Sequence, residues 1–393
     1  MSYSYEKKYD AVIVGAGVIG CSIAFFLARE SQGKFKVALI DRNTVGDEAS
    51  SGAAGMLAAQ IESEAPRPFL DLQIQSREIF KWLAGELEDA TGINIQYVRK
   101  GIAALAFETA QEKELRERME WQKKSGLACE WLTTASVVQK FPFIRKKSLG
   151  GLLAPEDGKV SSSALVWALC EAAKKHGVDV YESDGSDDIV LKKPRQDFLE
   201  TNISKFVAGR FIFAAGSWTG RLLNGLVPVE PVKGQILIYE TPSGWSTSRN
   251  WETPIYCGKV PSPVPAACYF VPKGDNEVWV GATSEKRGLD KSENIEATKA
   301  LAKYAAEVMP EISSFKLRTV WVGLRPTAPD NLPVLGLLPG FENVYVASGH
   351  YRNGILLSAV TGKIFADLLL KGKSSIDIEA FSPARFAKTP VQA

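Results

Sequence analysis

The sequence predicts an α/β protein in which a parallel sheet, wound with helices, is interrupted by an inserted antiparallel sheet. Three observations predict it. Residues 9–14 form a short apolar run, Gly15-Ala16-Gly17-Val18-Ile19-Gly20 follows, and an apolar helical stretch covers 21–29. A second apolar run over 36–41 ends in Asp41, 21 residues after Gly20. Farther on, valine- and isoleucine-rich segments over 229–239 and 269–282, the latter around Gly274-Asp275-Asn276, have the composition of antiparallel hairpins.

The first unit carries the dinucleotide-binding fingerprint in its full strand–turn–helix–strand context, a Rossmann-like beginning. Gly15 permits the tight turn, Gly17 lets backbone N–H groups approach a pyrophosphate, and Gly20 lets helix and strand pack closely. Val18 and Ile19 open the helix, whose unpaired N–H groups and dipole favour the phosphates. Asp41 would accept the ribose hydroxyls. The plain alternative is a glycine-rich turn in an ordinary parallel core, which would need neither the glycine spacing nor the distant acid.

Residues 49–57, Ala-Ser-Ser-Gly-Ala-Ala-Gly-Met-Leu, lie just past Asp41 at the carboxyl ends of the strands, where α/β sheets bind ligands. So few side chains let backbone approach a flat ring such as an isoalloxazine; close packing of small residues accounts for the stretch equally well. Phe69, Leu72, Ile79, Phe80, Leu83 and Leu87 then fall at helical spacing. The pattern turns strand-like over 95–107, becomes a charged helix over 111–124, and returns to strands over 150–160. Ser161-Ser162-Ser163 supplies N-cap residues for the next helix. A strand at 211–213 ends in Ala214-Ala215-Gly216, a helix spans 294–308, and a buried strand at 344–347 leads to a helix over 355–370. Pieces of the nucleotide layer are therefore expected at 1–90, 150–225 and 320–373, a substrate domain at 91–149 and 226–319, and a peripheral tail at 374–393.

Composition narrows the function. The 393 residues are 45% hydrophobic, enough for a large core, and the net charge of +2 recruits neither nucleic acid nor an anionic membrane. Five scattered cysteines without a CxxC pair exclude a disulfide framework or structural zinc and indicate a reduced, cytoplasmic setting. Residues 1–8 are polar and run into a strand, so no signal peptide is expected. No apolar stretch is expected to reach the roughly 18 residues of a membrane span. Only His176 and His350 are present, and His176 sits at the charged end of a helix. Histidine-based hydrolysis and metal sites are poorly supplied, so chemistry carried by a cofactor fits better.

Two segments remain. Gly349-His350-Tyr351-Arg352-Asn353-Gly354-Ile355 places a helix N-terminus at the mouth of the sheet, where it would stabilise negative charge on a reduced flavin, or simply turn the chain. Trp321-Val322-Gly323-Leu324-Arg325-Pro326 sets an arginine in apolar surroundings. A substrate carboxylate is one partner for it; an internal ion pair is the simpler one on these residues alone.

The stretches VIVGAGVIGCSIAFFLA, SSGAAGML, FIFAAGSWTG, PVKGQ, VGAT, WVGLRPTAPDNLPVLG and ASGHYRNGILLSAVTG resemble, in order and over nearly the whole chain, the FAD-dependent D-amino-acid oxidase family. The glycine oxidase branch of the thiamine pathway is most similar. The resemblance implies a p-hydroxybenzoate-hydroxylase-like FAD domain and oxidative deamination of a small amino or imino acid, glycine, sarcosine, D-alanine or D-proline. Hydride passes to FAD and molecular oxygen is reduced to hydrogen peroxide. It also implies a homo-oligomer. An amino-acid dehydrogenase delivering electrons to a quinone or a protein, and a non-catalytic flavin redox sensor, are the alternatives.

Carried over by position, Arg325 resembles the carboxylate-binding arginine, Tyr269 its hydroxyl partner, Arg352 a second pocket arginine and Glu62 an acid near the entrance. The cofactor set expected is Gly15, Gly17, Val18, Ile19, Gly20, Asp41, Arg42, Ser50, Ser51, Gly55, Met56, Leu57, Ala215, Gly216, Trp218, Gly349, Tyr351, Arg352, Asn353, Gly354 and Ile355. Two positions depart from the glycine oxidase pattern, Ala267 where histidine is expected and Ser284 where methionine is, and the proline-rich segment before Ala267 is longer. The sarcosine oxidase branch attaches flavin through a cysteine near GLRP; Gly323, Leu324 and Arg325 occupy that stretch here, so FAD is expected to be noncovalent. No metal site is expected.

Overall fold

The structure, a computed structural model, describes residues 6–63, 68–185, 189, 191–274 and 276–387. Glu6–Val14 lies inside a seven-stranded sheet ordered Val334–Leu337, Val344–Ser348, Lys205–Phe213, Glu6–Val14, Val37–Ile40, Asp179–Tyr181, with Phe198–Glu200 paired to Lys205–Phe213. Its central pairings are parallel: Val14 opposes Phe213 on one side and Ile40 on the other. The fingerprint helix Val18–Glu30 is buried continuously from Val18 to Ala28, because its small and apolar residues meet protein on every side. It packs against Ser162–Lys175 and Gly354–Lys371 in one core.

An eight-stranded sheet forms the second layer, in the order Lys316–Thr327, Glu230–Glu240, Glu277–Thr283, Ala266–Lys273, Ile255–Lys259, Ile102–Ala106, Gly150–Ala154, Glu130–Leu132. Lys273 faces Glu277 across the expected hairpin, whose Asp275 lies outside the described residues. Gly150–Ala154 pairs in this sheet, and the boundary expected at 319/320 falls within Lys316–Thr327. The helix expected over 294–308 is Ile295–Val308, with Asn294 accepting the Ala297 N–H at 3.1 Å.

Several expectations are corrected. The strand-like run 95–107 contracts to Ile102–Ala106; ahead of it only Val98 bridges to Lys159. Lys316–Thr327, where no strand was expected, is a strand of 12 residues whose first four are exposed at the sheet edge. One helical stretch, Tyr351–Lys371, is after all long and apolar enough to cross a membrane, but 72% of its window is buried inside the fold, so its apolarity serves the core. From the segment after Ser374, Phe381 inserts into that core, and Arg385 pairs with Asp330 at 2.8 Å.

Candidate active site

One continuous cleft crosses both sheets at the carboxyl ends of the parallel strands. At its first end stand Asp41 and Arg42, with Asp184 beside them, its N–H donating to the Asp41 carbonyl at 2.9 Å, and Thr201. Asp41 accepts the N–H groups of Ala16 at 2.7 Å and Asn43 at 2.8 Å, while burial pushes its carboxyl pKa upward. The Arg42 guanidinium lies 4.3 Å from the centre of the Trp218 ring.

The fingerprint loop follows. Gly15 has φ +107°, and a Cβ there would come within 2.5 Å of the Ala214 carbonyl; one at Gly20 would meet the Gly15 carbonyl at 1.8 Å. These contacts let the turn close over the strand ends. Gly17 caps Val18–Glu30 and lines the cleft with Val18 and Ile19, and Ser50 Oγ accepts the Val18 N–H at 3.0 Å.

Small residues then open the middle of the cleft. Gly52, Ala53, Ala54, Gly55 and Met56 line it opposite Ala215, Gly216 and Trp218. A Cβ on Gly52 would strike the Trp321 indole at 1.9 Å, so the small-residue stretch does bring backbone against a flat ring, here a tryptophan from the second sheet. Ser217 Oγ donates to the Leu324 carbonyl at 2.9 Å, tying this turn to the strand that carries Arg325.

The far end is polar. Arg325, Tyr269, Tyr256, Glu62, Tyr351, Arg352 and Ala267 face one chamber. Arg325 Nη1 donates to the Thr283 carbonyl at 3.0 Å, and among the described residues no carboxylate stands within ion-pair distance of it. Burial works against its charge, and its largest electrostatic support comes from Tyr269. Burial pushes the Tyr269 phenol up to about 12. Tyr256, 5.4 Å from Tyr269 between ring centres, donates to Glu62. Glu62 and Tyr351 raise the Arg352 pKa although burial opposes it. Tyr351 holds a left-handed φ of +48°, rare for an aromatic residue and characteristic of functional sites.

A buried network fixes the Glu62 segment. Asp157, fully buried, accepts the N–H groups of Gln60 and Ile61 at 3.0 and 3.1 Å and the Arg77 guanidinium at 3.0 Å. Neither Arg77 nor Asp157 is recognisable from sequence, because their pairing joins a helix to a distant turn.

Six expected positions stand off the cleft. Gly20 acts beneath the turn; Ser51 donates to the Glu48 carbonyl at 3.2 Å; Leu57 is fully buried on the far side of the short strand Met56–Leu57. Gly349 makes a turn at φ +73°, and Asn353 accepts from Gln73 Nε2 at 3.1 Å. Ser284 stands behind Tyr351, its Oγ 3.2 Å from the tyrosine oxygen. Gly354 and Ile355, at the start of Gly354–Lys371, do line the cleft. Trp321, Tyr256, Gly234 and His350 also line it and were not anticipated. For Trp321 the signal was its spacing from Gly323 and Arg325, alternate residues on one strand face.

Among the described residues no group of three metal-ligating side chains occurs. A glycine-rich loop at a helix start, an acid at the end of the next strand, a slot lined by small residues and a half-buried arginine share one cleft, the arrangement of an FAD-dependent amino-acid oxidase. The chain belongs to the FAD dependent oxidoreductase family DAO, whose profile matches residues 10–368. It is 35% identical over 382 residues to the glycine oxidase of Geobacillus kaustophilus, covering 96% of this chain and 97% of that protein. A crystal structure of glycine oxidase from Geobacillus kaustophilus superposes with a TM-score of 0.88 at 34% identity, over 97% of this chain and 100% of that one. The bifunctional protein ThiO/ThiG of Synechocystis sp. is 33% identical over 98% of this chain and 55% of that protein.

Proposed function

We propose that the chain oxidises glycine or another small amino or imino acid, such as sarcosine, D-alanine or D-proline, to an imine that hydrolyses to the 2-oxo acid. Arg325 carries the reading. A guanidinium held in the chamber beside a tyrosine, with no carboxylate within ion-pair distance among the described residues, suits the carboxylate of a substrate.

Held by the loop at Gly15 and Gly17, Asp41 and the small-residue stretch 52–56, FAD would supply a hydride acceptor for the substrate α-carbon and a route for the electrons to oxygen, giving hydrogen peroxide. The chain supplies placement. Arg325 and Tyr269 fix the carboxylate, and the apolar walls Ile236, Met56, Ala282 and Trp321 exclude water from the α-carbon. Glu62 is already engaged by the Tyr256 hydroxyl, and burial holds the His350 imidazole down at about 3, too weak a base to take the substrate's proton at neutral pH. The substrate therefore enters with its amine neutral.

Residues that line the cleft support a noncovalent cofactor: all five cysteines are buried and none faces it. Acid precipitation should leave the flavin in the supernatant; colour in the pellet would mean a covalent link. The decisive experiment is anaerobic bleaching of the flavin by glycine, sarcosine, D-alanine and D-proline, followed by air. Bleaching with one peroxide per imine supports an oxidase. Bleaching without reoxidation by air points to a dehydrogenase, and no bleaching by any amino acid refutes the reading.

A further inference from the structure

Residues 283–285, where the strand Glu277–Thr283 ends, form a rail beside the substrate chamber. The Gln235 N–H donates to Thr283 Oγ1 at 3.0 Å, and the Ser284 N–H donates to the Pro265 carbonyl at 2.7 Å. Glu285 and Lys233 exchange both backbone hydrogen bonds, at 2.8 and 2.9 Å. Each residue of the rail is thus fixed by a partner from another segment. Two chamber groups are tethered to it at consecutive positions. Arg325 Nη1 donates to the Thr283 carbonyl at 3.0 Å, and the Ser284 and Tyr351 hydroxyls share a hydrogen bond of 3.2 Å.

The tyrosine is held at both ends. Its φ of +48° is a conformation that an aromatic residue keeps only where its surroundings impose it. Its ring lines the chamber, 5.4 Å between ring centre and the Arg352 guanidinium carbon. Burial works to raise the phenol pKa, yet the Ser284 hydroxyl and the guanidiniums of Arg352 and Arg325 bring it below the usual tyrosine value. We propose that Ser284, which stands outside the cleft, is a positioning residue for substrate. Its hydroxyl pins the Tyr351 ring as a fixed wall of the chamber, and that wall limits the bulk of the amino or imino acid admitted. A ring so held yields to a larger ligand only by breaking the bond; freed of it, the ring gives way. The inference rests on reading the chamber as an amino-acid site, and it is separate from the room left at Ala267, which lies on another strand.

The test uses the holoenzyme and two carboxylates that differ in bulk, acetate and pyrrole-2-carboxylate, a ring of the size of D-proline. Each is titrated while the flavin absorbance spectrum is followed. The quantity read is the dissociation constant of pyrrole-2-carboxylate divided by that of acetate, a ratio that loss of folded protein does not move. Ser284→Ala should lower it by about 3- to 10-fold, the range of one neutral hydrogen bond. Ser284→Thr, which keeps the hydroxyl, should hold it within about 2-fold of the wild type. In a Tyr351→Phe background, Ser284→Ala should change it by less than about 2-fold, because the bond is already gone. An unchanged ratio in Ser284→Ala overturns the proposal. So does an equal change in the Tyr351→Phe background, since Ser284 would then act otherwise than through the phenol. A shift in Ser284→Thr as large as in Ser284→Ala would assign the effect to packing and overturns it too. If neither carboxylate perturbs the flavin of the wild type, the amino-acid reading itself fails and takes the proposal with it.

Discussion

The guanidinium of Arg325 lies flat over Gly234 on the neighbouring strand, so close that a Cβ on Gly234 would fall 2.0 Å from Nη1. Gly234 opposes Gly323 in the ladder, and Lys233 opposes Leu324. The missing side chain at Gly234 is thus what lets a long cation fold down along the sheet into the chamber, while the one missing at Gly323 leaves room for the Trp321 ring, 1.9 Å from where a Cβ would stand. The motif PVKGQ, remote from GLRP in sequence, is the floor on which the arginine rests. Gly281 does the same for Tyr269, whose hydroxyl would stand 2.3 Å from a Cβ there.

Gly234→Ala should therefore act on substrate rather than cofactor. The guanidinium must lift away from the Thr283 carbonyl, which misplaces it for a carboxylate. Substrate affinity should fall while FAD content stays normal, and the added methyl should cost little stability because the atoms it displaces end a flexible side chain. Flavin absorbance and substrate titration check both parts; unchanged substrate affinity would show that Arg325 tolerates a second position.

Removing the arginine outright is the stronger test of its partner. Arg325→Ala deletes charge-assisted hydrogen bonds worth about 1.5–3 kcal/mol, or roughly 10- to 150-fold in the substrate dissociation constant. FAD should remain bound. A variant that folds, keeps FAD and binds substrate normally would assign the carboxylate to another group.

At the other end of the cleft, Gly17→Val should purify largely colourless. The backbone at Gly17 has an ordinary φ of −75°, so the fault is space and not strain. Its Cβ would already stand 3.2 Å from Ser50 Oγ, and the branched methyls reach into the place of the pyrophosphate. The ratio of flavin to protein absorbance reads the loss; a yellow, fully loaded variant would place the phosphates elsewhere.

Much of this cleft was legible because glycine spacing and strand ends are local signals. The fingerprint, the small-residue stretch and the helix start at Gly354 are each written in a few consecutive residues, and backbone geometry follows from them directly. What escaped is what strand pairing brings together. Tyr256, Glu62 and Arg352 meet from three distant segments, and Trp321 reaches across to Gly52. Lys316–Thr327 shows no alternation, since one of its ends lies exposed at an edge and the other is buried in the site. Ser284 and Asn353 mislead for the opposite reason: next to site residues in sequence, they turn to Tyr351 and Gln73 instead of the cleft.

Lys273 makes a prediction in pH. Its ammonium donates to the Val160 carbonyl at 3.1 Å beside Gly55, and burial, reinforced by Lys159, pulls its pKa down to about 7. In the unfolded chain a lysine titrates near about 10.4. Between those values the unfolded chain binds a proton that the fold does not, so stability rises with pH from about 7 to about 10 and is lowest below 7. The slope is at most about 1.4 kcal/mol per pH unit, and less where water reaches the partly exposed side chain. Lys273→Met should be more stable than the wild type at pH 6.5, with the difference closing toward pH 10. Urea midpoints at both ends of the range measure it; a difference independent of pH would mean that Lys273 stays charged in the fold.

Substrate range turns on Ala267. Of the two departures from the glycine oxidase pattern, Ala267 lines the chamber and Ser284 does not. A methyl in place of an imidazole leaves room beside Tyr269 on the same strand. The proline-rich segment ahead of it is tied down at its end, where the Pro265 carbonyl accepts the Ser284 N–H at 2.7 Å and the Ala266 carbonyl the Val260 N–H at 3.0 Å. Glycine has no side chain to use the space, whereas sarcosine, D-alanine and D-proline do. The wild type should accept all four, and Ala267→His should penalise the three larger substrates more than glycine, by about 1–3 kcal/mol in transition-state binding. The measurement is kcat/KM for each substrate in both proteins. Equal losses for all four would show that position 267 does not shape the chamber, and a wild type strictly selective for glycine would sink the idea of a roomier pocket.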